Sequence, residues 1–186
     1  RSDDGRAWTI VDVSMHEVEG SGIAFGNGVY VVSAHDPYGH ETSGRLLTSP
    51  DGATWSVLET GRETIDVAFG DGLFVATAPW DGGASYVSPD GDEWNRQEAF
   101  DVPVYVTFGQ GVFVGFDFES TTLVSEDGDE WRRVQALPPD FRFRHGASFA
   151  GGRFWAAAQA DCDLGEDCAP PTTASSADGG VMIHDP

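Results

Sequence analysis

Apolar and β-branched runs meet a short glycine-bearing turn and resume on its far side at four places along the chain. The first is Ile23-Ala24-Phe25-Gly26-Asn27-Gly28-Val29-Tyr30-Val31, and the second is Val67-Ala68-Phe69-Gly70-Asp71-Gly72-Leu73-Phe74-Val75. The third is Val106-Thr107-Phe108-Gly109-Gln110-Gly111-Val112-Phe113-Val114, and the fourth is Ala147-Ser148-Phe149-Ala150-Gly151-Gly152-Arg153-Phe154-Trp155. Such a pattern predicts hairpins whose turns need positive φ.

A second pattern falls between the copies of the first. It reads Ser2-Asp3-Asp4-Gly5-Arg6-Ala7-Trp8, Ser49-Pro50-Asp51-Gly52-Ala53-Thr54-Trp55, Ser88-Pro89-Asp90-Gly91-Asp92-Glu93-Trp94 and Ser125-Glu126-Asp127-Gly128-Asp129-Glu130-Trp131. A degenerate copy is Ser176-Ala177-Asp178-Gly179, with Met182 where Trp would stand. Here Asp-Gly closes a tight turn, the Ser hydroxyl and Asp carboxylate bond the turn's own backbone, and Trp opens the next strand as packing bulk. Asp4, Asp51, Asp90, Asp127 and Asp178 are therefore read as turn residues, since residues repeated at one structural position do not converge on one catalytic centre.

Trp8, Trp55, Trp94 and Trp131 stand 47, 39 and 37 residues apart, a period that suits four short strands with their turns. The expected fold is all-β: a β-propeller of four-stranded antiparallel blades, about four blades plus a partial one. Blades are placed at about residues 23–58, 66–97, 105–136 and 147–185, with residues 1–13 as the outer strand of a preceding blade, all within one propeller domain or segment. A piece of a larger ring, a compact four-bladed ring using residues 7–13, and a ring completed by a second chain all fit this pattern.

The Ser-x-Asp-Gly-x-x-Trp copies resemble the Asp-box, or bacterial neuraminidase repeat, of sialidases, sortilin-type receptors and xyloglucan hydrolases. The usual box is Ser-x-Asp-x-Gly-x-Thr-Trp, one residue longer before the Trp. The resemblance implies a propeller whose Asp-boxes sit away from any substrate site.

Charge narrows the partners. Thirty-one acidic residues against ten basic ones give −21, which repels nucleic acid and anionic membranes. No apolar stretch approaches the roughly 20 residues needed to span a bilayer, so membrane insertion is not expected. Cys162 and Cys168 flank a short polar segment without the further ligands of a zinc site and are read as a disulfide, worth about 2 kcal/mol through loop closure. That bond favours a secreted, periplasmic or cell-surface location.

The segments that do not repeat are the 2–3 loops and the blade links, where ligand-binding residues are expected. These are residues 34–43, 79–83, 116–120 and 159–173, with links containing Arg62, Arg142, Arg144 and His145. His35, Asp36, His40 and Glu41 are residue types suited to a transition metal. Tyr38, Trp80 and neighbouring Asp81 suit a sugar ring, although a loop aromatic also serves to cover a blade edge. Asp161, Asp163, Glu166 and Asp167 offer oxygens to calcium, without the spacing of an EF-hand loop. No other cofactor is expected.

No catalytic residue is assigned: nucleophile elbow, phosphate loop and dinucleotide fingerprint are all absent. The expected function is a non-catalytic extracellular binding or scaffold module that takes a protein, peptide or glycan on its loop-rich face. A glycoside hydrolase or sialidase-like enzyme is the alternative, and a structural segment of a larger surface protein the second. Its oligomeric state is open between a monomer and part of a larger propeller.

Overall fold

The computed structural model describes residues 1–2, 4–10, 18–36, 44–98, 101–136, 141–143, 146–160, 172–176 and 182–184. These form seventeen strands and, among the described residues, no helix. Blade 1 is β1 (Glu19–Gly26), β2 (Val29–His35), β3 (Arg45–Ser49) and β4 (Ser56–Glu59). Blade 2 is β5 (Asp66–Gly70), β6 (Leu73–Ala78), β7 (Ala84–Ser88) and β8 (Asn95–Glu98). Blade 3 is β9 (Tyr105–Gly109), β10 (Val112–Phe116), β11 (Thr121–Ser125) and β12 (Arg132–Ala136).

In each of these sheets the strands follow chain order and pair antiparallel. Blade 4 departs from that plan. Its innermost position is shared by β13 (Phe141–Phe143) and β14 (Ser148–Ala150), both paired along the long β15 (Arg153–Ala160), followed by β16 (Thr172–Ser176) and β17 (Met182–His184). Arg142 accordingly sits in a strand rather than in an irregular link.

The first repeated motif forms the hairpin between the two inner strands of a blade. Asn27 and Gly28, Asp71 and Gly72, and Gln110 and Gly111 all have positive φ, the left-handed pair that a two-residue hairpin turn requires. The glycine before each pair is different, because Gly26, Gly70 and Gly109 are not in the left-handed region. They are glycine for lack of space: a β-carbon on them would lie 2.2, 1.9 and 2.4 Å from ring atoms of Phe69, Phe108 and Phe149 on the next blade. The turn explains only part of this motif; packing between blades explains the rest.

The second motif closes the outer hairpin with its own side chains. In blade 2 the Gly91 amide donates to Ser88 Oγ at 2.8 Å, while the Asp92 and Glu93 amides donate to Asp90 Oδ1 at 3.0 and 3.1 Å. The same bonds recur around Asp51 and Asp127. They recur again at Asp4, in residues 1–10, where Arg1 and Thr9 also exchange backbone bonds.

The apolar core lies between blades rather than within them. Val31 and Leu46 of blade 1 meet Val67, Phe74, Ala76 and Tyr86 of blade 2, with Trp94 against them. Ala68 and Val75 of blade 2 meet Val106 and Phe113 of blade 3, with Trp131 against them. Val114 and Val124 of blade 3 meet Phe154 of blade 4. Blades 2 and 3 are thus apolar on both faces, as stacked blades require.

Candidate ligand-binding face

The inner strands β1, β5, β9 and β14 stand side by side around a groove of about 360 Å³ lined by residues such as Phe25, Asp66, Phe69, Thr107 and Ala147. Asp66 is the charged side chain in this lining. Its carboxylate accepts the Val67 amide at 2.9 Å through Oδ1 and the Val106 amide at 3.0 Å through Oδ2. It therefore ties blade 2 to blade 3. Burial pushes its pKa up to about 6 against the lowering effect of those two amides. Sequence reading missed Asp66 because its place in the repeat is taken by Gly22 and Tyr105 in blades 1 and 3, so no pattern marks it.

At the far end of the strands from the repeated turns, the 2–3 turns of blades 2 and 3 meet. The blade 2 turn is held by Arg62, whose Nη1 donates to the carbonyls of Trp80 at 3.2 Å and Asp81 at 2.5 Å, and whose Nη2 pairs with Glu98 at 3.2 Å. Asp81, Gly82 and Gly83 all have positive φ, giving a tightly curled loop that presents Trp80 outward. The blade 3 turn closes on Asp117, whose Oδ1 accepts the Thr121 amide at 2.8 Å, and on Ser120, whose amide donates to the Asp117 carbonyl at 3.0 Å.

These two turns bring Trp80 and Phe118 ring to ring at 4.3 Å, and both rings remain substantially exposed. Beside them opens a cavity of about 330 Å³ lined by Val104, Tyr105, Phe116, Asp117, Phe118 and Arg142, with Phe143 stacked on Phe116 at 3.6 Å. The Phe143 amide donates to Ser120 Oγ at 2.9 Å, fixing β13 of blade 4 to the blade 3 turn. The cavity is thus built from two blades and edged by a third.

Arg133 gathers the acids nearby. It pairs with Asp101 at 2.7 Å, Asp117 Oδ2 at 3.3 Å and Glu119 at 3.7 Å. The Asp117 contact has ion-pair distance but not the alignment of a hydrogen bond, so that buried oxygen has no hydrogen-bond donor. The bond from Arg133 holds Asp101 below the ordinary carboxylate range. A general acid needs the opposite shift, so Asp101 is suited to holding charge in place rather than to giving up a proton.

Of the residues singled out in the sequence, the structure brings Trp80, Asp81 and Arg142 to this face. His35 ends β2 in blade 1, Asp36 follows it, and neither lines the cavity; His35 Nε2 lies 4.0 Å from Glu19. Tyr38, His40, Glu41, Arg144, Asp161, Cys162, Asp163, Glu166, Asp167, Cys168 and Asp178 lie outside the described residues. Among the described residues, no three His, Cys, Asp or Glu side chains are grouped to hold a metal ion. No helix among them is long and apolar enough to cross a membrane. Phe118 and the Arg133 cluster were not anticipated, although a second aromatic in the 116–120 loop was a readable signal.

No protein-family model and no curated protein matches the sequence. Solved structures do match the fold. One is YCF48 from Cyanidioschyzon merolae, at a TM-score of 0.61 and 14% identity, with 90% of this chain and 56% of that one covered. A second is the nidogen/laminin complex, at 0.56 and 13%, with 77% and 60% covered. A third is the catalytic domain of a Coprinopsis cinerea GH62 α-L-arabinofuranosidase, at 0.52 and 13%, with 98% and 70% covered. The chain spans little more than half the length of the YCF48 structures. What it shares with these proteins, binders and hydrolases alike, is the fold, and that fold is a β-propeller built here from three four-stranded blades and a five-stranded fourth, all antiparallel.

Proposed function

We propose that the chain is a non-catalytic binding module of the Asp-box propeller type, acting outside the cytosol, whose 2–3 loop face takes a segment of a partner protein. The observation that carries this reading is the exposed Trp80–Phe118 pair at the rim of a cavity that also holds Arg142 and Asp117. Exposed aromatic rings beside a pocket are the usual energetic centre of a protein interface. The chain's charge of −21 favours a partner segment with basic residues, drawn in over a distance. One of the similar structures is YCF48 bound to D1 peptide.

Two features speak against an enzyme at this face. The nearby acids share Arg133, and Asp66, whose carboxyl alone among the described residues has a strongly raised pKa, has both oxygens occupied by backbone amides. A glycan is the second reading, favoured by the flat exposed ring of Trp80.

The test is a display screen of random peptides and a glycan array, both against the whole chain, followed by titration of the hits. A peptide whose affinity falls tenfold or more in Trp80→Ala and in Phe118→Ala, about 1.4 kcal/mol or more, supports the proposal. Hits confined to the glycan array establish the second reading. Peptide binding indifferent to both substitutions, or glycosidase turnover lost with them, overturns the proposal.

A further inference from the structure

The seams between blades repeat two fittings, the first seen in all three and the second in the two whose turn glycine is among the described residues. The Phe of the following blade covers the glycine that ends the innermost strand of the blade before it, at Gly26–Phe69, Gly70–Phe108 and Gly109–Phe149. The turn glycine of the following blade packs on the second strand of the blade before it, and a β-carbon there would lie 3.0 Å from Val31 at Gly91 and 2.3 Å from Val75 at Gly128.

Blade 1 carries the following-blade half of both fittings, and no described residue fills either. Phe25 is 57% exposed and Ile23 is 66% exposed, whereas Val67 and Val106, at the place of Ile23 in blades 2 and 3, are 4% and 6% exposed. Among the described residues, Gly52, the turn glycine of blade 1, is approached only by Tyr30 of its own blade, at 3.6 Å. Phe25 is nevertheless held as its counterparts are. Its ring lies 4.5 Å from Tyr30, against 4.6, 4.8 and 4.8 Å for Phe69–Phe74, Phe108–Phe113 and Phe149–Phe154. The ring is preset for a glycine that is not there.

Blade 4 is the obvious candidate to cover it, either by closing the ring or from a second copy. Its residue at the glycine position is Ala150. In the three observed seams any β-carbon at this position falls within 2.4 Å of the incoming ring, far inside contact distance. Ala150 therefore cannot receive Phe25 in the geometry all three seams share.

We propose that the exposed face of blade 1, centred on Ile23, Phe25 and Gly52, docks a further blade of this same repeat, distinct from blade 4, that ends its innermost strand in glycine. Residues 2–8 already contain the outer turn of such a blade. The Gly5 amide donates to Ser2 Oγ at 2.9 Å, the Arg6 and Ala7 amides to Asp4 Oδ1 at 2.8 and 3.0 Å, and Trp8 Nε1 to the Gly5 carbonyl at 3.2 Å. Trp94 and Trp131 make the same bond to Gly91 and Gly128, and both pack into seams. Trp8, by contrast, is 73% exposed.

The experiment compares the 186-residue chain with Phe25→Arg and Ala150→Gly by sedimentation, thermal melting and binding of the dye ANS. The expected result is a monomer whose Tm shifts by less than about 3 °C in either variant, with ANS fluorescence reduced in Phe25→Arg. A longer chain, with a second copy of residues 101–123 joined ahead of Arg1 so that residues 2–10 complete an added blade, is expected to melt about 5 °C higher or more. That gain is lost when the added copy of Gly109 is made Ala. A fall of about 5 °C or more in Phe25→Arg alone, a dimer that Phe25→Arg splits, or a Tm raised by Ala150→Gly would show that blade 4 already covers Phe25 and overturn the proposal. The point variants decide the question even if the longer chain fails to fold.

Discussion

Trp80 of blade 2 and Phe118 of blade 3 lie 4.3 Å apart with their ring planes inclined by 32°, so the 2–3 loops of these two blades are coupled to each other before any partner arrives. An inclined aromatic pair contributes about 0.5–1.5 kcal/mol beyond its buried area. A double-mutant cycle with Trp80→Ala and Phe118→Ala, read by urea denaturation, is expected to give a coupling energy of that size. A coupling of zero would mean the rings move independently in solution.

Gly70 tests the packing between blades. Placing a methyl group there puts it 1.9 Å from Phe108 Cγ, with no flexible chain end to swing away. Gly70→Ala is expected to cost about 1–3 kcal/mol, the range for overpacking in a close-packed interior. Combining it with Phe108→Ala is expected to cost less than the sum of the two single changes, because the second change removes the ring the methyl group strikes. Urea midpoints of the four proteins check this.

Asp66 gives the stability a pH dependence of definite sign. Its folded pKa, about 6, lies above the ordinary 3.8, so the folded state binds this proton more tightly than the unfolded chain does. The stabilisation from protonated Asp66 is full below about pH 4 and is lost as the pH rises through 6, a change of up to about 3 kcal/mol. The turn carboxylates act the other way. Asp51 and Asp90 are held below 3.8 by amides of Thr54 and Ala53 and of Asp92 and Glu93, so their contribution is present above about pH 4 and lost as the pH falls. The difference between wild type and Asp66→Asn isolates the first effect: wild type is expected to lose stability relative to the variant between pH 4 and 6, measured by denaturation at each pH.

Ser88 tests the repeated turn. Its buried hydroxyl takes the Gly91 amide at 2.8 Å and donates to Asp90 Oδ1 at 3.1 Å. Ser88→Ala leaves that buried amide without a partner and is expected to cost about 1–3 kcal/mol. Ser2→Ala, which removes the same bonds from an exposed turn, is expected to cost far less, since water replaces the lost partner. Melting temperatures of the two variants give the comparison.

The fold was legible because its two motifs recur with local causes. The Asp-Gly turns and the Asn27-Gly28, Asp71-Gly72 and Gln110-Gly111 hairpins each fix a backbone conformation within a few residues, and local chemistry leaves local traces. Gly26, Gly70 and Gly109 were visible as repeated letters, but their cause lies about forty residues further along the chain, on the next blade. The binding face was legible as a set of loops, and Trp80 within it as an aromatic. That Trp80 would meet Phe118, or that Arg133 would gather Asp101, Asp117 and Glu119, follows from how two blades are set against each other. No repeat encodes that: Arg133 has a counterpart in Arg96 of blade 2, but Trp80, Phe118 and the three acids each occur at their position in one blade only.

The ring-on-glycine fitting also bears on how such a chain changes over generations. Blades 1 to 3 each carry the ring on one face and the glycine on the other, so duplicating or deleting a whole repeat brings a matched seam with it and demands no new complementarity. A point substitution has no such freedom, for it alters one side of a seam and leaves the neighbour unmatched. Length is therefore inherited cheaply and seams are not, and the alanine at position 150 marks a repeat that no longer carries the glycine half of this fitting.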